Sequence, residues 1–124
     1  MTAASFALIL TGVLLNAVAQ LLLKAGTNTL GVITPTVATA LPLAGAIATN
    51  PHILGGFVCY GISVLVWIVA LSRVPVSIAY PMLSIGYVVN ALAANALFGE
   101  ALHGGRWLGI GFIMIGVYLL ARAS

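Results

Sequence analysis

Residues 12–24 read GVLLNAVAQLLLK, from Gly12 to Lys24. The polar side chains in this run, Asn16, Gln20 and Lys24, recur at i, i+4 and i+8. On an α-helix that spacing puts them on one face, as a stripe about 12 Å long at 1.5 Å rise per residue. The rest of the run is hydrophobic wall. Exposing an Asn and a Gln to acyl chains is unfavourable, so the striped face must meet protein or an aqueous cavity. The run predicts the first span of an all-α integral membrane protein whose pathway this stripe lines.

Composition points the same way. Of the 124 residues, 63% are hydrophobic and 4% are charged, against roughly 25% charged in a soluble domain. Such a chain would aggregate in water and is ordinary in a bilayer. The net charge of +3 comes from four basic residues and one acid with no cluster, so no nucleic-acid partner is expected. Cys59 is the single cysteine, which excludes a disulfide within the chain and a thiolate metal site. His52 and His103 border loops with no carboxylate or cysteine at ligand spacing. With no Gly-rich nucleotide loop after a strand, ATP is not the evident energy source. No metal or other cofactor is expected.

A spanning helix needs about 20 mostly apolar residues. Four segments qualify, at about residues 4–23, 52–71, 76–98 and 106–120. Ala17-Val18-Ala19 resembles a signal-peptide cleavage site. No Lys or Arg precedes Phe6, however, and the apolar pattern continues through Leu23, so residues 1–24 read as a retained first helix. Asn50-Pro51 starts the second span and Ser72-Arg73-Val74-Pro75 stops it. Residues 25–51 read as an extended loop whose apolar middle, 37–47, is an interfacial or partly re-entrant segment. The whole forms a single four-helix domain, small enough to imply that it works as a dimer. Arg73 and Arg122 fall on one side of the membrane and Lys24 and Arg106 on the other. That balance gives the positive-inside rule nothing to act on, and leaves room for dual insertion and an antiparallel dimer.

Several residues are candidates for chemistry. Lys24 either snorkels to headgroups or offers a point charge to a phosphate; Asn16 and Gln20 offer neutral donors and acceptors suited to hydroxyls or amides. On the third span Tyr80, Ser84 and Tyr87 share a face, with Ser77 and Asn90 nearby. Pro81 frees the carbonyl of Ser77 and kinks the helix. The tyrosines fit a cavity wall or an interfacial belt equally. On the second span Tyr60, Ser63 and Trp67 share a face that could stack on a sugar ring or pack in the core. Glu100, the only acid, is expected to pair with Arg106 across a short loop. Trp107 reads as an interface anchor. Gly105, Gly109 and Gly116 give the fourth span a small-residue face suited to subunit contact.

The run Val74-Pro-Val-Ser-Ile-Ala-Tyr-Pro-Met-Leu-Ser84, the Phe98-Gly-Glu100 close and the Arg106–Val117 segment resemble half-size, EamA-like members of the drug/metabolite transporter superfamily. Gln20-Leu-Leu-Leu-Lys24 fits the same group. Within it, the small subunits of the aminoarabinose-phosphoundecaprenol flippase are the most similar. The resemblance covers the first span and about residues 70–120, and leaves 25–51 outside. It implies a flippase subunit in the bacterial inner membrane that moves a polyprenyl-phosphate-linked sugar and is no enzyme. It also implies a homodimer or a heterodimer with a paralogous four-helix subunit. Lys24 would then hold the phosphate, while Asn16, Gln20 and the Tyr80/Ser84/Tyr87 face contact the sugar. The small multidrug resistance family is more distantly similar, but the membrane Glu that it uses for proton exchange corresponds to Asn16 here. An Asn cannot cycle a proton. An exporter of a small metabolite or drug, or a non-transporting accessory membrane protein, are the alternatives.

Overall fold

The computed structural model describes residues 2–31 and 36–123. Helix α1 (Ala3–Leu30) starts where the Thr2 hydroxyl accepts from the Ser5 N–H at 3.1 Å. It ends at Gly31, whose φ of 78° only glycine adopts readily and whose N–H donates to the Thr27 carbonyl. The expected end at Leu23 is thereby corrected. The polar run from Lys24 to Thr29 stays helical because the Thr27 and Thr29 hydroxyls donate back to the carbonyls of Lys24 and Gly26, at 2.9 and 2.6 Å.

The extended loop is corrected as well. Residues 25–30 belong to α1, and Ala40–Thr49 form helix α2, while 32–35 lie outside the described residues. Pro42 sits in the first turn of α2, where a missing N–H removes no intrahelical bond. None of α2 is buried. Asn50 caps α3 (Pro51–Leu71): its Oδ1 accepts from the N–H groups of His52 and Ile53, and its Nδ2 donates to the Thr29 hydroxyl at 2.8 Å. One side chain thus starts α3 and ties it to the end of α1.

The third span, Val76–Phe98, divides into α4 (Val76–Met82) and α5 (Ser84–Phe98). The division falls at Leu83, two residues after Pro81. Helix α5 closes at Gly99, with φ 68°, and α6 (Gly104–Ala123) follows. Four spans are long and apolar enough to cross a bilayer, and no strand occurs among the described residues. The chain is an all-α membrane protein.

Helix α1 is the axis of the bundle, packed along α3 and against α5. Glycines permit the approach: a Cβ at Gly56 would lie 3.1 Å from the Ala19 carbonyl oxygen, and one at Gly26 would collide with Ile53. At one end of the bundle Ile9, Val13, Ala70, Val74, Ala79 and Met82 form a buried core, joined from α6 by Val117 and Ala121. Helix α6 touches α4 and α5 and buries none of its residues.

Candidate substrate cavity

Beyond that core, α1, α3 and the α4–α5 span enclose a cavity of about 530 Å³. From α1 come Asn16 and Gln20, at the i, i+4 spacing that turns both to one face. The Gln20 Nε2 donates to the Asn16 Oδ1 at 3.4 Å, a long bond that leaves capacity on both amides. From α3 come Tyr60, Ser63 and Trp67. Ser63 is buried and donates to the Tyr60 carbonyl at 2.7 Å, so its lone pairs rather than its proton face the cavity. Tyr80 stands before the break in the third span and Tyr87 after it, and both line the cavity. Tyr60, Tyr80 and Tyr87 are 46%, 61% and 58% exposed, and the cavity is open rather than sealed.

Two of the sequence candidates stay outside. Ser84 begins α5 and does not line the cavity. Lys24 is exposed on α1, one turn past Gln20, and is also absent from the lining. Among the described residues, no Asp, Glu, Lys, Arg or His lines the cavity. Its polarity comes from amides, hydroxyls and aromatic rings alone.

Sequence reasoning left Asn90 at the edge of the candidate set, yet it lines the cavity from α5, one turn past Tyr87. Its Oδ1 is buried and accepts from no donor. Leaving such an oxygen unpaired costs about 1–3 kcal/mol. The i, i+3 spacing from Tyr87 is the signal that could have found it.

A second groove of about 340 Å³ runs between α5 and α6 and shares Tyr87 with the first. It is walled by Val88, Ala91, Ile110 and Ile113, with Glu100 and Arg106 also lining it. The expected ion pair between those two does not form. The Arg106 guanidinium donates instead to the Ala101 carbonyl at 3.0 Å, and the Glu100 carbonyl accepts from Asn95 at 2.7 Å. A carbonyl oxygen of the α5–α6 loop is the nearer partner of Arg106. On α6, a Cβ at Gly105, Gly109 or Gly116 would meet nothing within 4 Å, so among the described residues nothing is close-packed against these glycines.

No protein-family model and no solved structure matches the chain. The uncharacterized protein y4nH of Sinorhizobium fredii is 38% identical over 86 residues, 67% of this chain and 74% of y4nH. The probable 4-amino-4-deoxy-L-arabinose-phosphoundecaprenol flippase subunit ArnE of Pseudomonas syringae is 42% identical over 66 residues, 53% of this chain and 61% of that protein. The probable subunit ArnF of the same flippase from Aeromonas hydrophila is 47% identical over 70 residues, 55% of this chain and 48% of that protein. The match thus spans less than two thirds of either flippase subunit. By name, ArnE and ArnF are subunits of a flippase, a transport protein. With four apolar spans and bacterial flippase subunits among its relatives, the chain is a multi-pass protein of the bacterial inner membrane. At 38% identity across 74% of y4nH, the chain belongs to the family of y4nH, and it resembles the flippase subunits ArnE and ArnF.

Proposed function

We propose that the chain is one subunit of a flippase that carries a polyprenyl-phosphate-linked sugar across the inner membrane. The observation that carries this reading is an open, uncharged cavity lined by amides, hydroxyls and aromatic rings among four apolar spans. A lipid-linked cargo must hide a hydroxyl-rich headgroup while its tail stays among acyl chains, and an open cavity allows both. Asn16, Gln20 and Asn90 supply hydrogen bonds suited to hydroxyls and amines, and the faces of Tyr60, Trp67, Tyr80 and Tyr87 supply planes on which a sugar ring stacks. The similarity to ArnE and ArnF supports a lipid-linked aminosugar as cargo. In this reading the working unit is a dimer, with itself or with a paralogue, and one subunit rocks against the other around the cavity.

Lys24 is the cation for the phosphate. It stands about 6 Å beyond Gln20 along α1, at 1.5 Å per residue, exposed and outside the sugar cavity. An ammonium there meets a phosphate at the headgroup level while the sugar lies inward.

Native mass spectrometry of protein released gently from its own membrane tests the reading, with wild type beside Lys24→Ala. The expected result is wild-type protein carrying a polyprenyl-phosphate species that the variant largely loses. Lipid-free wild-type protein would overturn the flippase reading and favour a soluble metabolite. Lipid binding unchanged in the variant would return Lys24 to a snorkelling anchor.

A further inference from the structure

We propose that the groove between α5 and α6 is a docking site for one membrane phospholipid whose headgroup carries both a phosphate and an amine. The site goes beyond the flippase reading and does not depend on it. The depth of the groove, its width and the charges at its mouth lead there.

Tyr87, at the inner end of the groove, stands halfway along the Val76–Phe98 span. Glu100 and Arg106, at the other end, stand where the chain turns from α5 into α6 at the membrane face. The groove therefore runs from headgroup level to the middle of the bilayer, the course of a lipid chain within one leaflet. Small residues keep it open: Ala91, Ala94 and Gly109 give walls without bulk. Helix α6 meets the buried core only with Val117 and Ala121, near its other end.

Width decides the kind of occupant. Arg106 and Ile113 are about 10 Å apart along α6, so 340 Å³ leaves a section of about 30 Å². A helix 10 Å across needs about 80 Å², and a spanning helix would not stop at the bilayer centre. One hydrocarbon chain fits, against Val88, Ile110 and Ile113, while the second chain of the phospholipid stays among bulk lipid. Gly105 and Gly116 do not line the groove, so a lipid there leaves them open to a subunit contact.

Charge selects the headgroup. Arg106 gives one donor to the Ala101 carbonyl at 3.0 Å and keeps its others, in the fork that suits phosphate oxygens. Glu100 lines the same mouth and is not paired with Arg106. Its carboxylate repels a purely anionic headgroup and accepts from an ammonium. A headgroup with a phosphate and an amine answers both charges at once.

The test is native mass spectrometry of the full-length protein in detergent, with phosphatidylethanolamine and phosphatidylglycerol in competition. Wild type is expected to prefer phosphatidylethanolamine about fivefold, the upper end for an exposed ion pair. Glu100→Gln should lose that preference, and Arg106→Gln should bind both lipids several-fold more weakly. Gly109→Leu, at a position where a Cβ meets nothing within 4 Å, should fill the groove and exclude the chain. Phosphatidylethanolamine should also raise the melting temperature of wild type and not of Gly109→Leu, since a ligand of the folded state stabilises it. Should Gly109→Leu fail to fold, Ala94→Leu on the facing wall is read in the same way. Equal binding of the two lipids by wild type overturns the headgroup assignment, and phosphatidylethanolamine binding unchanged in Gly109→Leu overturns the groove. A Gly109→Leu protein that loses a partner subunit while still holding the lipid makes the groove a subunit contact instead. Undecaprenyl phosphate, added last, should bind alongside the phospholipid; if it displaces the phospholipid, the groove belongs to the cargo and the proposal falls. Wild type that carries phosphatidylethanolamine but no polyprenyl phosphate would overturn the flippase reading alone.

Discussion

Asn50 illustrates how much a single side chain organises in this chain. Its oxygen caps α3 and its amide nitrogen reaches the Thr29 hydroxyl of α1. Removing the cap costs about 1 kcal/mol and losing the cross-helix bond about as much again. Asn50→Ala should therefore destabilise the bundle by about 2 kcal/mol, and Thr29→Ala by about 1 kcal/mol, in reversible unfolding in mixed micelles. Equal losses in the two variants would mean that the cap contributes nothing. The cap was legible, since Asn before Pro at the head of an apolar run marks a helix start. The tie to Thr29 was not, because it joins residues 21 apart that reading in order assigns to a loop. The stripe on α1 shows the same boundary. Asn16 and Gln20 share the cavity, but eight residues of an α-helix overshoot two turns by about 80°. Lys24 is carried round the helix and along it, out of the lining. Spacing alone named the face and overestimated its length. Asn90 was legible as a polar neighbour of Tyr87, but its unpaired oxygen is a property of the packed state, invisible until its neighbours are known.

Among the elements, the broken third span has the clearest consequence for function. Sequence alone indicated a bend from Pro81, since the ring removes the N–H that would meet the Ser77 carbonyl. The division at Leu83 sets α4 and α5 apart, and Tyr80 and Tyr87 line the cavity from opposite sides of it. Replacing Pro81 with Ala restores the missing N–H and favours one continuous helix, by up to about 3 kcal/mol on propensity alone. Pro81→Ala should leave thermal stability unchanged or raised while substrate binding drops at least several-fold. A variant that both melts lower and binds normally would make the proline a packing residue only. The extension of α1 was the element least open to reading. Ala25-Gly26-Thr27-Asn28 has the composition of a helix stop, and only tertiary contact shows otherwise. Gly26 lets α1 lie against Ile53, and the threonines bond back to their own helix, so packing overrides propensity there.

At the scale of the whole molecule, one side of the bundle is finished and the other is not. The core and the close glycine contacts lie where α1 meets α3, α4 and α5, whereas α6 buries nothing and carries glycines that face open space. Lipid can cover such a face, as it can the exposed Leu65 and Phe57 of α3. Glycine is a poor choice for that purpose, since it weakens the helix by about 1 kcal/mol per residue and presents no side chain to acyl chains. Its advantage is close approach of another backbone, which in the proposed dimer is α6 of the second subunit. Wild-type protein in mild detergent should run at twice the chain mass of 12.7 kDa, alone or after co-expression with a paralogue. Gly105→Leu and Gly116→Leu should shift it to the monomer without lowering helix content, because neither position packs against the rest of the chain. Sedimentation in density-matched detergent, with circular dichroism on the same samples, separates loss of assembly from loss of fold. Variants that stay dimeric would move the subunit contact off α6. The cavity opening flanked by Tyr60 and Tyr80 would then be the remaining face on which two bundles can meet.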